Sequence, residues 1–374
     1  MLHFTSAGES HGEAIIGILE GMVAGLRVEN AFINKQLQLR QKGYGRSPRM
    51  KMEKDTAIIL AGMRHGATTG SPIAIVVKNK AHNLESLPAI TCPRPGHADL
   101  PGMLKYGVTD ARNILERSSA RETVARVAVG SICKKFLEDF GVSSFFHVTN
   151  IAGIEADIKD LAPHEIQRHA SRSALACADP RAEKKMRDKI DEAIASGDTL
   201  GGVCELVITG VVPGIGNFTS WHERLDAKIA GALMSIPAVK AVEIGTGFKG
   251  AHLPGSLFHD ALHHSKKHGF YRKTNNAGGI EGGMSNGEPI TVKVMVKPVP
   301  TLTKGLASVN VATKEQKSAH SERHDTVVVS SCGVIADAMA SFVLADGYLK
   351  KFGGDSLKET KVNFLNYCSA IKDF

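Results

Sequence analysis

Thr291-Val292-Lys293-Val294-Met295-Val296-Lys297 alternates without a break, with the three valines on one side and Lys293, Met295 and Lys297 on the other. Successive side chains of a strand point to opposite faces, so this run predicts a strand with one face on a core and the other toward water. Further strand-like segments lie upstream at 14–19, 57–61, 73–77, 145–148 and 204–212. Three segments read as helices. Residues 122–140 carry Val124, Val127, Ile132, Phe136 and Phe140 at helical spacing, and 181–195 follow Asp179-Pro180, a cap and first-position pair. Residues 333–351 are apolar on most sides, as a deeply buried helix is. Strands grouped between helices, with no regular βαβ rhythm, predict an α+β fold rather than a doubly wound sheet.

The chain has 374 residues, 43% hydrophobic and 22% charged, which suits a globular protein with a substantial core. Lys and Arg outnumber Asp and Glu by 46 to 38, a surplus that fits acidic small molecules, nucleic acid or simple solubility. With one Trp and 5 Tyr there is no obvious set of base-stacking platforms, which argues against nucleic acid. Cys92, Cys133, Cys177, Cys204, Cys332 and Cys368 are scattered, so a disulfide framework or a zinc site is not expected, and reduced thiols are. The apolar stretch 14–26 is interrupted by Glu20 and falls short of the roughly 20 residues a membrane helix needs. No secretory signal is visible, and the expected location is the cytoplasm.

Five segments carry candidate chemistry. In Gly8-Glu9-Ser10-His11-Gly12, flanking glycines expose a histidine able to exchange a proton near neutral pH; alone, it reads as well as a turn histidine. Residues 40–49 place Arg40, Arg46 and Arg49 on a glycine-bearing loop, suited to carboxylate or phosphate oxygens or to plain solvation. Arg94-Pro95-Gly96-His97-Ala98-Asp99 sets an Arg and a His three apart within 81–107, which reads as a long irregular loop. Arg117-Ser118-Ser119-Ala120-Arg121-Glu122 has capping-box spacing between Ser119 and Glu122, an anion site if the box forms, although the helix could begin near Asp110. Lys297-Pro298-Val299-Pro300-Thr301 stiffens a strand exit, and downstream Arg323-His324-Asp325 offers a carboxylate that is either a base or an ion-pair partner. No P-loop, dinucleotide fingerprint or H-E-x-x-H motif stands in a supporting context. Several Arg-rich segments and two accessible histidines favour an enzyme acting on a multiply anionic small molecule.

In this order and at these separations, the five segments resemble chorismate synthase, from Gly8 to about Lys350, with 236–245, 275–287 and Arg323–Asp325 included. The runs GESHG, RPGHADL and RSSARET together are highly specific. The resemblance implies an anti-1,4-elimination of phosphate from 5-enolpyruvylshikimate 3-phosphate to give chorismate, the last common step toward the aromatic amino acids, with reduced FMN required but not consumed. Carried over, His11 would act at the departing phosphate, His97 beside the flavin, and Asp325 in removal of the C6 proton. Arg40, Arg46, Arg49 and Arg94 match substrate-anion positions, and Arg40 and Arg46 also match positions tied to NADPH in members that reduce their own flavin. Arg117, Ser118, Ser119, Ala238, Gly282, Lys297, Pro298, Val299, Pro300, Thr301 and Arg323 match FMN contacts. The implied fold is one β-α-β sandwich spanning 1–374, with helices between antiparallel sheets, assembled as a homotetramer. Two departures are visible: Pro237 where some members carry an amide, and Ser331-Cys332-Gly333. No flavin-reductase extension is evident, so the resemblance is to the monofunctional bacterial type, with NADPH at most an indirect reductant. The rival readings are a flavin reductase oxidising NADPH without substrate, and an RNA-binding protein using the basic segments.

Overall fold

The structure, a computed structural model, describes residues 1–47, 54–267, 269–372 and 374. Strands β1 (His3–Ala7), β2 (Ala14–Glu20), β3 (Ala57–Ala61) and β4 (Ile73–Lys78) form one sheet in the order β1-β2-β4-β3. Strands β5 (Ser143–Ile151), β6 (Ile154–Glu155), β7 (Gly202–Thr209), β8 (Val239–Ile244) and β9 (Ile290–Val296) form a second in the order β8-β9-β7-β5-β6. Every pairing in both sheets is antiparallel. The alternation that opened the sequence reading is β9. Ile290, Val292, Val294 and Val296 are fully buried, while Met295 is 39% exposed.

The longer helices are α1 (Asn30–Gln41), α2 (Asp99–Tyr106), α3 (Arg112–Ser118), α4 (Thr123–Glu138) and α5 (Pro163–Arg172). They continue with α6 (Pro180–Ser196), α7 (Leu225–Met234), α8 (Val329–Phe352) and α9 (Leu357–Lys372). Helix α4 lies on the first sheet, α8 lies on the second, and the two pack on each other. The layering is therefore sheet, helices, sheet, in an α+β fold. One hydrophobic core runs unbroken from Leu2 to Phe352 through both sheets and both helices. Small residues allow the helices to approach: a Cβ on Gly130 of α4 would sit 2.5 Å from the Ala338 carbonyl oxygen of α8. Long and apolar enough to cross a membrane, α8 instead has 89% of its most apolar window buried in this core.

Two local expectations are corrected. Residues 81–107 are not irregular throughout: α2 occupies Asp99–Tyr106 and a single 3₁₀ turn occupies Leu84–Ser86. Pro101 and Gly102 disguise α2, but a proline within the first turn displaces no intrahelical hydrogen bond. The capping box does not form. Ser119 Oγ accepts from Arg121 N at 3.3 Å and caps one 3₁₀ turn, Ala120–Glu122, while the Glu122 carboxylate accepts from Arg126 Nε at 2.8 Å. A helix does begin after Asp110, whose Oδ1 accepts from Arg112 N at 2.8 Å, and it breaks at extended Ser119 before α4 resumes.

Candidate active site

A cavity of about 670 Å³ opens where the β1–β2 loop, the C-terminal end of α1, the 94–98 loop, the α3–α4 junction, the exit of β9 and the segment before α8 meet. That volume lies within the ~300–1,000 Å³ of small-molecule sites. Among the described residues, eight cations line it (Arg40, Arg46, Arg94, Arg117, Arg121, Arg126, Lys297 and Arg323) against three carboxylates, Glu122, Glu322 and Asp325. An apolar wall of Leu115, Ala238, Val299, Pro300, Val328 and Ile335 completes it. Phosphates and carboxylates attached to a flat ring system match this lining.

His11 sits in the tight β1–β2 loop. Gly8 makes the turn at φ 111°, where any Cβ would lie 2.2 Å from the Ala14 carbonyl oxygen. The loop is fastened to α3: Ser10 N donates to Glu116 O at 3.0 Å, His11 N donates to Glu116 Oε2 at 2.8 Å, and His11 Nδ1 stands 3.0 Å from both carboxylate oxygens. A carboxylate only accepts, so Nδ1 carries a proton and Nε2 is the atom at which the ring gains or loses one. Burial pushes Glu116 upward, but hydrogen bonds from the His11 ring and backbone, and then from Arg112, take it below the usual carboxylate range.

His97 repeats the arrangement. Its Nδ1 lies 2.5 Å from Asp99 Oδ1, and Arg94 donates to Asp99 through its backbone N at 3.0 Å, Nε at 2.9 Å and Nη2 at 3.1 Å. Arg94 Nη2 also approaches Nδ1 at 3.0 Å, but a guanidinium cannot accept, so the Nδ1 proton belongs to the carboxylate. Asp99 is fully buried, which raises its carboxyl, yet His97 and Arg94 hold it well below the ordinary range.

The substrate-matching arginines divide. Arg40 is 4% exposed, with Nη2 on Asp55 Oδ2 at 2.8 Å, Nη1 on Thr123 Oγ1 at 3.2 Å, and Nε buried without a partner among the described residues. Arg94 is spent on Asp99 and on Thr301 Oγ1 at 3.1 Å. Arg46 reaches Asp325 Oδ2 at 3.2 Å, and Arg49 lies outside the described residues. The ion pair expected within Arg323-His324-Asp325 is not there. Asp325 instead takes Arg46 and the Ser47 N–H, at 2.7 Å, while Arg323 is exposed on the cavity rim without a partner among the described residues.

Of the FMN-matching positions, Arg117, Ser118, Ser119, Ala238, Lys297, Val299, Pro300, Thr301 and Arg323 line the cavity. Arg117 is braced by Ser6, with Nη2 on the carbonyl at 2.9 Å and on Oγ at 2.8 Å. Ala238 holds φ 73°, a left-handed conformation costly for any residue with a Cβ, and its carbonyl accepts from Lys297 N at 2.9 Å. Burial, and then Lys240, hold the Lys297 ammonium below its usual value, and Lys297 Nζ donates to the Gly96 carbonyl. Pro298 is exposed outside the lining, and Gly282 is exposed in the Ile280–Ser285 hairpin, also outside it. Pro237, Ser331 and Cys332, the departures from the family pattern, stand at the wall.

The supporting carboxylates escaped the sequence reading. Asp55, fully buried, bridges Arg40 at 2.8 Å and Arg121 at 2.6 Å. Asn79 accepts from Arg121 Nε at 2.7 Å and donates to the Glu9 and Gly12 carbonyls at 3.0 and 2.7 Å, bracketing the His11 loop. Arg112 Nη1 joins Glu116 at 3.2 Å to Glu322 at 2.7 Å. The local signals were the place of Asp99 two residues after His97 and of Glu116 four after Arg112; Asp55 carried none, with its arginines 15 and 66 positions away, nor did Asn79, whose partners lie 42 to 70 positions away.

A sequence profile of the family described as chorismate synthase matches residues 2–349. Chorismate synthase of Carboxydothermus hydrogenoformans is 46% identical over 385 residues, covering 100% of both chains. That of Desulforamulus reducens is 47% identical, covering 96% of this chain and 97% of its own. A crystal structure of chorismate synthase superposes with a TM-score of 0.84 at 40% identity, covering 100% of this chain and 99% of the other.

Proposed function

The chain belongs to the chorismate synthase family, eliminating phosphate from 5-enolpyruvylshikimate 3-phosphate to give chorismate, and from that premise we propose that the 670 Å³ cationic cavity is its active site. The observation that carries this reading is the lining itself: eight cations against three carboxylates, with two carboxylate-held histidines at the wall. A substrate with one phosphate and two carboxylates meets such a surface with charge-assisted bonds that need no reorganisation.

The residues present fit the family's cofactor. Arg117, Ser118, Ser119 and Arg323 offer donors to a phosphate, Lys297 offers a cation, and Ala238, Val299 and Pro300 offer a flat apolar wall for a ring. Bound there, reduced FMN would supply electron density transiently for the elimination, with no net redox change. His11, protonated on Nδ1 toward Glu116, donates from Nε2 to the departing phosphate oxygen, and Glu116 steadies the cationic ring beforehand. His97, held by Asp99, presents Nε2 to the polar edge of the cofactor. Asp325, with one donor on each oxygen, keeps lone pairs to take up the C6 proton. Arg46 and Arg323 bind substrate and cofactor charge, while Arg40 and Arg94 act through the groups they hold. Pro298 and Gly282 complete no contact in this scheme.

Reducing equivalents come from a separate source, as in monofunctional members, and NADPH acts indirectly. Assembly into a homotetramer is supported by the outer face of the first sheet, where Ile16, Ile18, Ile58 and Leu60 are 36–67% exposed. A cytoplasmic location fits a biosynthetic enzyme of this kind. Anaerobic turnover with photoreduced FMN tests the whole reading: many chorismate and phosphate molecules per flavin are expected. One flavin oxidised per chorismate, or NADPH oxidation without substrate, would overturn it.

A further inference from the structure

Glu116 is absent from the cavity lining, yet it makes the closest contacts to the cavity's first histidine. Its side chain is 3% exposed, and both oxygens are occupied: Oε2 by the His11 backbone N–H at 2.8 Å, both by Nδ1 at 3.0 Å, and Oε1 by Arg112 Nη1 at 3.2 Å. The same Arg112 nitrogen reaches Glu322 Oε1 at 2.7 Å, and Glu322 accepts from His320 Nε2 at 3.0 Å. A chain of alternating donors and acceptors thus runs His11–Glu116–Arg112–Glu322–His320. It joins the β1–β2 loop to the segment that carries Arg323 and Asp325 one and three residues later.

We propose that Glu116 is a positioning residue of the elimination. It fixes His11 in the tautomer with hydrogen on Nδ1 and, through Arg112, locks the His11 loop to the segment bearing Arg323 and Asp325. The proposal rests on the reading of His11 as the group acting at the leaving phosphate. With no carboxylate at Nδ1 the ring is free to rotate and to rest with its one hydrogen on Nε2, and it loses the partner that steadies the doubly protonated ring from which Nε2 donates. Arg112 matters for a second reason. Without it, the buried Glu116 and the partly exposed Glu322, about one guanidinium apart, would repel each other and part the two loops.

Glu116→Gln keeps the shape but offers an amide in place of the carboxylate. The expected result is a roughly 100-fold lower kcat with KM within about threefold, the size seen when the partner of a catalytic or ligating histidine is replaced. Since Glu116 acts through His11, the double variant His11→Ala/Glu116→Gln should be within about twofold of His11→Ala alone. Nitrogen-15 NMR of the ring should find His11 with hydrogen on Nδ1 in the unaltered protein and on Nε2 in Glu116→Gln. An unchanged kcat in Glu116→Gln, the same fold-loss in both backgrounds, or an unchanged tautomer would overturn the proposal. Near-normal turnover by His11→Ala is a different failure, which removes His11 from the chemistry; the tautomer measurement then decides alone whether Glu116 holds the ring. Should Glu116→Gln not fold, Arg112→Lys keeps the charge but not the fork. It should loosen the same tautomer signal, and an intact signal there would likewise count against the clamp.

Discussion

Replacing Asp99 by Asn separates charge from shape at the second histidine. The carboxylate receives four donors: Arg94 N, Nε and Nη2 at 2.9–3.1 Å, and His97 Nδ1 at 2.5 Å. An amide has one accepting oxygen, so its NH₂ must face donors whichever way it turns. If it takes the Oδ2 place, the Arg94 backbone N–H and Nε lose their acceptor. If it faces His97, the ring must give up its Nδ1 hydrogen and carry it on Nε2. Arg94 and Asp99 have side chains 7% and 0% exposed, and breaking such a buried pair costs about 3–5 kcal/mol. The retained shape argues for the lower end, about 3 kcal/mol. With an unfolding entropy of ~2.1 cal/mol/K per residue over 374 residues, this corresponds to a drop in Tm of about 4 °C. The pH dependence gives the sign. Asp99 is held below its unfolded value by His97 and Arg94 against the effect of burial, so its stabilisation is complete above about pH 4 and is lost as pH falls toward the folded value. Thermal melts of both proteins from pH 3 to 8 should show the full gap at pH 7, narrowing below pH 4. A gap under 1 °C at pH 7, or one that widens in acid, would refute the reasoning.

Asp325→Asn should bind FMN and substrate nearly normally and turn over about 100-fold more slowly, with a larger isotope effect for substrate deuterated at C6. Weak FMN binding with an unchanged isotope effect would instead mark Asp325 as the holder of Arg46 and Ser47. Arg323→Ala should weaken FMN binding at least tenfold by fluorescence titration while moving Tm by less than 1 °C, because the side chain is exposed and braces nothing among the described residues. Gly130→Ala should lower Tm by about 3 °C, an overpacking cost of ~2 kcal/mol, because the new methyl meets the Ala338 carbonyl oxygen at 2.5 Å; an unchanged Tm would show that α4 and α8 can part.

What was legible in the chain was whatever is local. The β9 alternation, the α6 cap at Asp179 and the apolar run of α8 depend on neighbours within a few residues, and each matches the structure. Motifs far apart in the chain also converge, since His11, Arg94, His97, Arg117 and Lys297 all line one cavity. The failures share a cause. Whether Ser119 and Glu122 close a box is decided by Arg126, which takes the Glu122 carboxylate, and by Ser10, which accepts a hydrogen bond from the Ser119 hydroxyl at 3.3 Å. Whether Asp325 pairs with Arg323 is decided by Arg46, which lies 279 positions away and brings the Ser47 N–H with it. Periodicity and spacing contain no term for such contacts.

The division of labour among the charged groups follows from the same geometry. Eight cations facing one cavity repel one another until an anionic ligand arrives, and an empty site of that kind would strain the fold. Besides Glu122 and Asp325 in the lining, carboxylates behind the wall relieve this, Asp55 between Arg40 and Arg121 and Asp99 under Arg94, and Glu116 stands against Arg112, itself outside the lining. None of these last three lines the cavity. Each therefore stabilises its cation in the folded chain without presenting negative charge to the substrate. Two of them, Glu116 and Asp99, hold a histidine of the lining as well, each at Nδ1. A cavity lined directly by those carboxylates would set negative oxygens against a substrate carrying a phosphate and two carboxylates and weaken its binding.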